Sequence, residues 1–274
     1  MSTRSYALRD SATMLRRQLH HMLRYPVTIL VVVVIPIVFL LLFVYVFGGT
    51  LGAGLGSSVD PGSGDRAEYL RYVVPGILLI AVAGAATGAA VSVSMDMSQG
   101  IIARFRTMAI ARVSVLTGHV LGNVIQTMLG IAVVIGVALL VGFRPSAGPV
   151  EWIAAAGVLA MITFAVTWFS VACGLLAKSV ETASNLPMPV MLLPFLGSGF
   201  VPTDSMPTGM RWFADYQPFT PFIETVRGLL VGIPIGNSAL IAVVWSVGIT
   251  VVCYIWAKRL YNRDPARRPK MTVM

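Results

Sequence analysis

Residues 186–230 read LPMPVMLLPFLGSGFVPTDSMPTGMRWFADYQPFTPFIETVRGLL. Pro187, Pro189 and Pro194 fall within one apolar segment. Proline lacks a backbone donor and its ring crowds the preceding turn, so the segment predicts a short, bent helix instead of a plain membrane span. The tract that follows carries Pro202, Pro207 and Pro218 and is too apolar for a solvent loop. Where it sits relative to a membrane decides the fold.

The composition places the chain in a membrane. It is 57% hydrophobic and 11% charged over 274 residues, outside the range of soluble domains. Six apolar stretches stand out: Val27–Phe47, Val73–Met95, His119–Val141, Ile153–Ala177, Leu186–Val201 and Ala239–Ala257. The first reaches roughly 31 Å at a helical rise of ~1.5 Å per residue, about one hydrocarbon thickness. The net charge of +9 is distributed by topology. Of the 20 Lys and Arg residues, 15 lie before the first stretch, in alternate loops or after the last, whereas Asp and Glu favour the other loops. The positive-inside rule then predicts a multi-pass protein of the cell membrane with both termini cytoplasmic, and makes nucleic acid a poor partner. A cleaved leader is not expected, because a long basic arm precedes an apolar run too long for one. Cys173 and Cys253 lie inside predicted spans, so buried free thiols are expected.

The arm over residues 1–26 has the pattern of an interfacial helix, with Leu8, Ala12, Leu15, Leu19 and Met22 on one face and Arg9, Arg16, Arg17 and Arg24 opposite. Residues 27–257 form the membrane domain and 258–274 a basic cytoplasmic tail. Gly48–Tyr72 begins with a Gly/Ser-rich extracellular loop. The second and third spans are joined by DMSQGIIARFRTMAIARVSVLTG, Asp96–Gly118. On a helix, Ile101, Ile102, Phe105, Met108 and Ala109 share a face flanked by Arg104, Arg106 and Arg112, which suits docking of a soluble partner or anchoring at the inner surface.

Several chemistries are absent from the sequence. No P-loop occurs: with Lys178, Lys258 and Lys270 the only lysines, the nearest match is GLLAKS at Gly174–Ser179, where Ala177 replaces a glycine whose amide would cradle phosphate. The chain is therefore expected to be no enzyme, and to bind neither nucleotide nor metal itself. Mid-membrane Asp, Glu, Lys or Arg, the usual sign of an ion-coupled carrier, are missing from the spans as drawn. Two polar stripes remain, His119, Asn123 and Gln126 in the third span and Thr163, Thr167 and Ser170 in the fourth. They line a substrate path or bond helix to helix. Gly84-x-x-x-Gly88 and Gly118-x-x-x-Gly122 mark close helix packing. Near the end of the opening tract, Glu224 and Arg227 stand at i, i+3, spaced for an ion pair or for a gate at the mouth of a re-entrant hairpin over about residues 203–232.

Three features coincide: the amphipathic arm, GIIARFRTMAIARVSVLTG, and FLGSGFVPTDSMPTGMRWFADYQPFTPFIETVRGLL. Together they resemble the membrane subunit of ABC-2 type exporters, in particular permeases of the daunorubicin-resistance type. The motifs that carry the resemblance are Gly100-Ile101-Ile102 with Arg104-Phe105-Arg106, Phe200-Val201-Pro202, Met206-Pro207, Gln217-Pro218 and Arg227-Gly228-Leu229-Leu230.

The resemblance implies an all-α membrane protein of six transmembrane helices with an N-terminal interfacial helix, a cytoplasmic coupling helix over about residues 96–113 and an extracellular re-entrant hairpin. Asp96, Gly100, Ile101, Arg104, Phe105, Arg106 and Arg112 would meet a separate cytoplasmic ABC ATPase, which would bind the ATP and Mg. Pro202, Pro207, Pro218, Glu224 and Arg227 would belong to an extracellular gate. A second permease copy, identical or related, would complete the assembly, and a drug, lipid or glycolipid would move outward. The competing readings are a scaffold recruiting a biosynthetic partner and an ion-coupled carrier.

Overall fold

The computed structural model describes residues 26–48, 66–98 and 112–262, with side chains for 33–48, 67–98 and 116–261. Gly100, Ile101, Arg104, Phe105 and Arg106 lie outside the described residues, as do the N-terminal arm through residue 25, most of the Gly/Ser-rich loop and residues 263–274. The described residues are helical, with no strand among them.

Helix α1, Pro26–Leu42, continues into a π turn over Phe43–Phe47. Then come α2 (Arg66–Ser98), α3 (Arg112–Val141), α4 (Pro149–Leu176), and the short α5 (Val180–Asn185) and α6 (Met188–Leu192). A 3-10 turn (Thr203–Ser205), α7 (Thr208–Tyr216), α8 (Phe219–Val231) and α9 (Ser238–Asn262) complete the order. Four of these, α2, α3, α4 and α9, are long and apolar enough to cross a membrane, and Val33–Phe47 is a shorter apolar helix.

One expectation is corrected in detail. A bent helix across 186–201 does not form, because only α6 is helical within it and turns follow to residue 200. Pro187 stands immediately before α6, and Pro194, with no N–H to give, follows its end. The chain then turns through Gly197 and Gly199. Gly199 meets α2 backbone to backbone: a Cβ on Gly76 would lie 2.7 Å from the Gly199 carbonyl oxygen.

The core forms where α2 and α4 pack together, with α1 and α3 beside α2 and α8 across both. Ile77, Leu78, Leu79, Ile80, Leu159, Ile162, Phe222 and Ile223 are fully enclosed in it. By contrast α9 packs mainly on α4 and α8 among the described residues and exposes Leu240, Val244, Val247, Val251 and Val252. A helix apolar all round, with this much bare aliphatic surface, is a lipid-facing helix. Cys173 and Cys253 are buried free thiols, as the sequence suggests.

Candidate functional site at the two ends of helix α2

Near its start, α2 meets α8, which follows α7. Each proline assigned to a gate stands directly before a helix: Pro202 before the 3-10 turn, Pro207 before α7 and Pro218 before α8. The φ values of −57°, −57° and −67° are those the ring imposes, so these prolines fix where the pieces begin. The corner is closed by the Gln217 amide, which donates to the Leu193 carbonyl at 2.9 Å, and by the Thr220 hydroxyl, which donates to the Ala214 carbonyl at 2.6 Å. At the far end of α8, Gly232 adopts φ +81°, a conformation glycine takes at little cost, and its N–H returns to the Gly228 carbonyl at 2.9 Å.

Arg227 points from α8 into the protein and is only 7% exposed. Its Nε and Nη2 donate to the Tyr72 carbonyl at 3.3 and 3.2 Å, and Nη2 also donates to the Ser198 carbonyl. The guanidinium lies 3.8 Å from the centroid of the Tyr72 ring. The Tyr72 hydroxyl in turn donates to Ser198 O at 3.0 Å. The planar fork, rigid and able to stack, thus ties α2, the broken span and α8 at one point. Glu224 accepts from the Ser238 hydroxyl at 2.7 Å, which anchors α8 to the start of α9, and the two residues spaced for an ion pair turn to different partners. On the other side of the broken span, Phe195 and Phe200 stack with each other, Phe43 stacks on Phe200, and Phe39 meets Phe195 edge-on.

Sequence reasoning missed Tyr72, Ser198 and this aromatic cluster. Pro75 inside α2 was the available signal, since a proline opens the helical ladder one turn before itself, beside the carbonyl that Arg227 takes.

At the other end of α2, His119 Nε2 lies 3.0 Å from Asp96 Oδ2, joining α3 to α2. One turn further into α3, the Asn123 amide donates to Thr167 Oγ1 of α4 at 3.0 Å. Thr163, Thr167 and Ser170 each donate to a carbonyl one turn back in α4. Gln126 is buried beside them. Arg112 is the first residue of α3, and its side chain is outside those described. Among the described residues no group of His, Cys, Asp and Glu could hold a metal.

Between α4, α6, the start of α8 and α9 lies an open groove of about 430 Å³ lined by apolar residues, among them Val166, Phe169, Leu193, Trp245 and Cys253. Pockets for small ligands fall in this size range. The lining offers hydrocarbon contact and no charge.

A family model described as ABC-2 type transporter matches residues 10–231. The "Daunorubicin resistance ABC transporter permease protein DrrB1" of Streptomyces coeruleorubidus is 30% identical over 200 residues, covering 73% of this chain and 71% of that protein. The "Probable doxorubicin resistance ABC transporter permease protein DrrC" of Mycobacterium tuberculosis is 26% identical over 183 residues, covering 67% of this chain and 66% of the relative. With helices long and apolar enough to span a membrane and a family match over most of its length, the chain belongs to the ABC-2 type transporter family as a permease subunit.

Proposed function

We propose that this permease exports a hydrophobic or amphiphilic compound, powered by a separate cytoplasmic ABC ATPase, and that α2 carries the stroke. One observation bears the most weight. The same continuous helix ends beside the segment 99–111 and, near its other end, gives its Tyr72 carbonyl to Arg227 of the hairpin. Movement imposed where the ATPase docks would reach the hairpin through a rigid element. In this reading Asp96, Gly100, Ile101, Arg104, Phe105, Arg106 and Arg112 lie at or beside the docking surface, and the hairpin caps the exit on the outer face. Substrate enters from the cytosol or inner leaflet, and two permeases with two ATPases form the working assembly.

The substrate class rests on the apolar groove and on the drug-resistance names of the relatives. Charge partition supports cytoplasmic termini. The test is isolation of the tagged chain with its ATPase, followed by ATP-driven uptake of doxorubicin into inverted vesicles. Paired Arg104→Glu and Arg106→Glu substitutions are expected to abolish both ATPase retention and uptake. Full uptake by that variant would falsify the docking assignment, and uptake following a proton gradient without ATP would make the chain an ion-coupled carrier.

A further inference from the structure

We propose that Asp96 and His119 are a positioning pair: they fix the spacing of α2 and α3 where the chain leaves one helix and enters the other. They are then neither a direct ATPase contact nor part of a substrate path. The consequence for coupling rests on the reading of residues 99–111 as the docking segment, whereas the pair itself rests on geometry alone.

Asp96 stands in the last turn of α2, where unpaired carbonyls already present partial negative charge, an unfavourable place for a carboxylate. It is held there by a donor. A carboxylate can only accept, so the imidazole presents its Nε2–H across the 3.0 Å gap. Both side chains are largely withdrawn from water, at 15% and 10% exposure, which strengthens a charge-assisted bond relative to a surface pair. The neighbours continue the pattern. Asn123, one turn along α3, reaches Thr167 of α4, so α3 is held to α2 by one residue and to α4 by the next on the same face. Nearby, Ser94 of α2 sits 3.5 Å from the Ser179 carbonyl that follows α4. The helices that flank residues 99–111 are thereby fixed relative to each other and to α4, so a push on the segment moves α2 instead of merely prying it from α3.

The test uses the full chain in lipid nanodiscs and reads hydrogen exchange by mass spectrometry. Asp96→Ala is expected to speed exchange about tenfold over 93–98 and 116–120, the factor one charge-assisted hydrogen bond supplies. Exchange over 219–231 should stay as it was. Asp96→Asn, which keeps an oxygen acceptor without the charge, should recover part of that protection, whereas Ala recovers none. No local change, or an equal rise in α8, overturns the proposal.

A second arm uses the complex isolated with its ATPase. Asp96→Ala should retain the ATPase while ATP hydrolysis by the complex falls several-fold, and Asp96→Asn should recover part of it. Loss of ATPase binding in Asp96→Ala makes Asp96 a direct contact and overturns the positioning role. If Arg104→Glu with Arg106→Glu leaves binding intact, the docking segment is lost as a reading, and the exchange measurement still decides the pair.

Discussion

The two ends of α2 are tied down by different chemistry. At the hairpin, one buried guanidinium serves two carbonyls and a ring, so three separate elements meet at a single side chain. At the other end the work is divided between two pairs, Asp96 with His119 joining α2 to α3 and Asn123 with Thr167 joining α3 to α4. A hub fails all at once, whereas a seam loosens bond by bond. The first suits an element that must be either seated or released, and the second suits a joint that keeps its shape while it moves.

Arg227→Met should break the comparison most severely. It removes the guanidinium's bonds to the Tyr72 and Ser198 carbonyls, at a cost of about 2 kcal/mol, the range for hydrogen bonds from a charged group. Denaturant titration of the protein in bicelles reads the loss, and Arg227→Lys should recover only part of it because a point charge cannot bridge both carbonyls. A loss under 1 kcal/mol for Met would mean that the hub is no hub.

Gly76→Ala comes next. Its methyl would meet the backbone of Gly199, which cannot swing aside, and overpacking of this sort costs about 1–3 kcal/mol. The same titration checks it. At the seam, Asn123→Ala and Thr167→Ala should each cost about 1 kcal/mol, and the double variant should reveal a coupling of roughly 0.6 kcal/mol, in line with hydrogen bonds between membrane helices. A coupling as large as the Arg227 effect would erase the distinction between the ends.

The smallest effect belongs to Gly84→Ala and Gly88→Ala. A Cβ at either position meets nothing within 4 Å, so the folded chain should change by less than about 0.5 kcal/mol. Measuring self-association of the same variants by single-molecule photobleaching separates the fold of one chain from its pairing with a second. Association is expected to weaken if a second copy covers this stripe.

The starts of α7 and α8 were legible in the prolines: Pro207 and Pro218 each fix φ just before a helix, and Gly232 supplies the turn that ends α8. The long helices were equally legible from their apolar runs, and their structural ends extend beyond those runs because polar residues such as Glu68 and Asp96 can still be helical. What could not be read were the partners. Spacing placed Glu224 opposite Arg227, yet the arginine found carbonyls far away in sequence, and no local pattern encodes a contact between residues 72 and 227. Gly84-x-x-x-Gly88 reads as a tight helix contact, and among the described residues nothing comes within 4 Å of a Cβ there, because α4 approaches α2 elsewhere, at Ala90 against Gly174. The seam showed itself as a polar stripe, while the identity of each bond depended on which helix lay alongside.

The length of α2 has one more implication. Its 33 residues extend about 50 Å, against a hydrocarbon layer of about 30 Å. The helix must lean, or stand proud of the bilayer, as at its start, where Glu68 and Arg71 are exposed to accept water and headgroups. The apolar run within it, Val73–Met95, reaches only about 35 Å, so the polar flanks stand outside the hydrocarbon layer and hold the helix at the membrane surfaces.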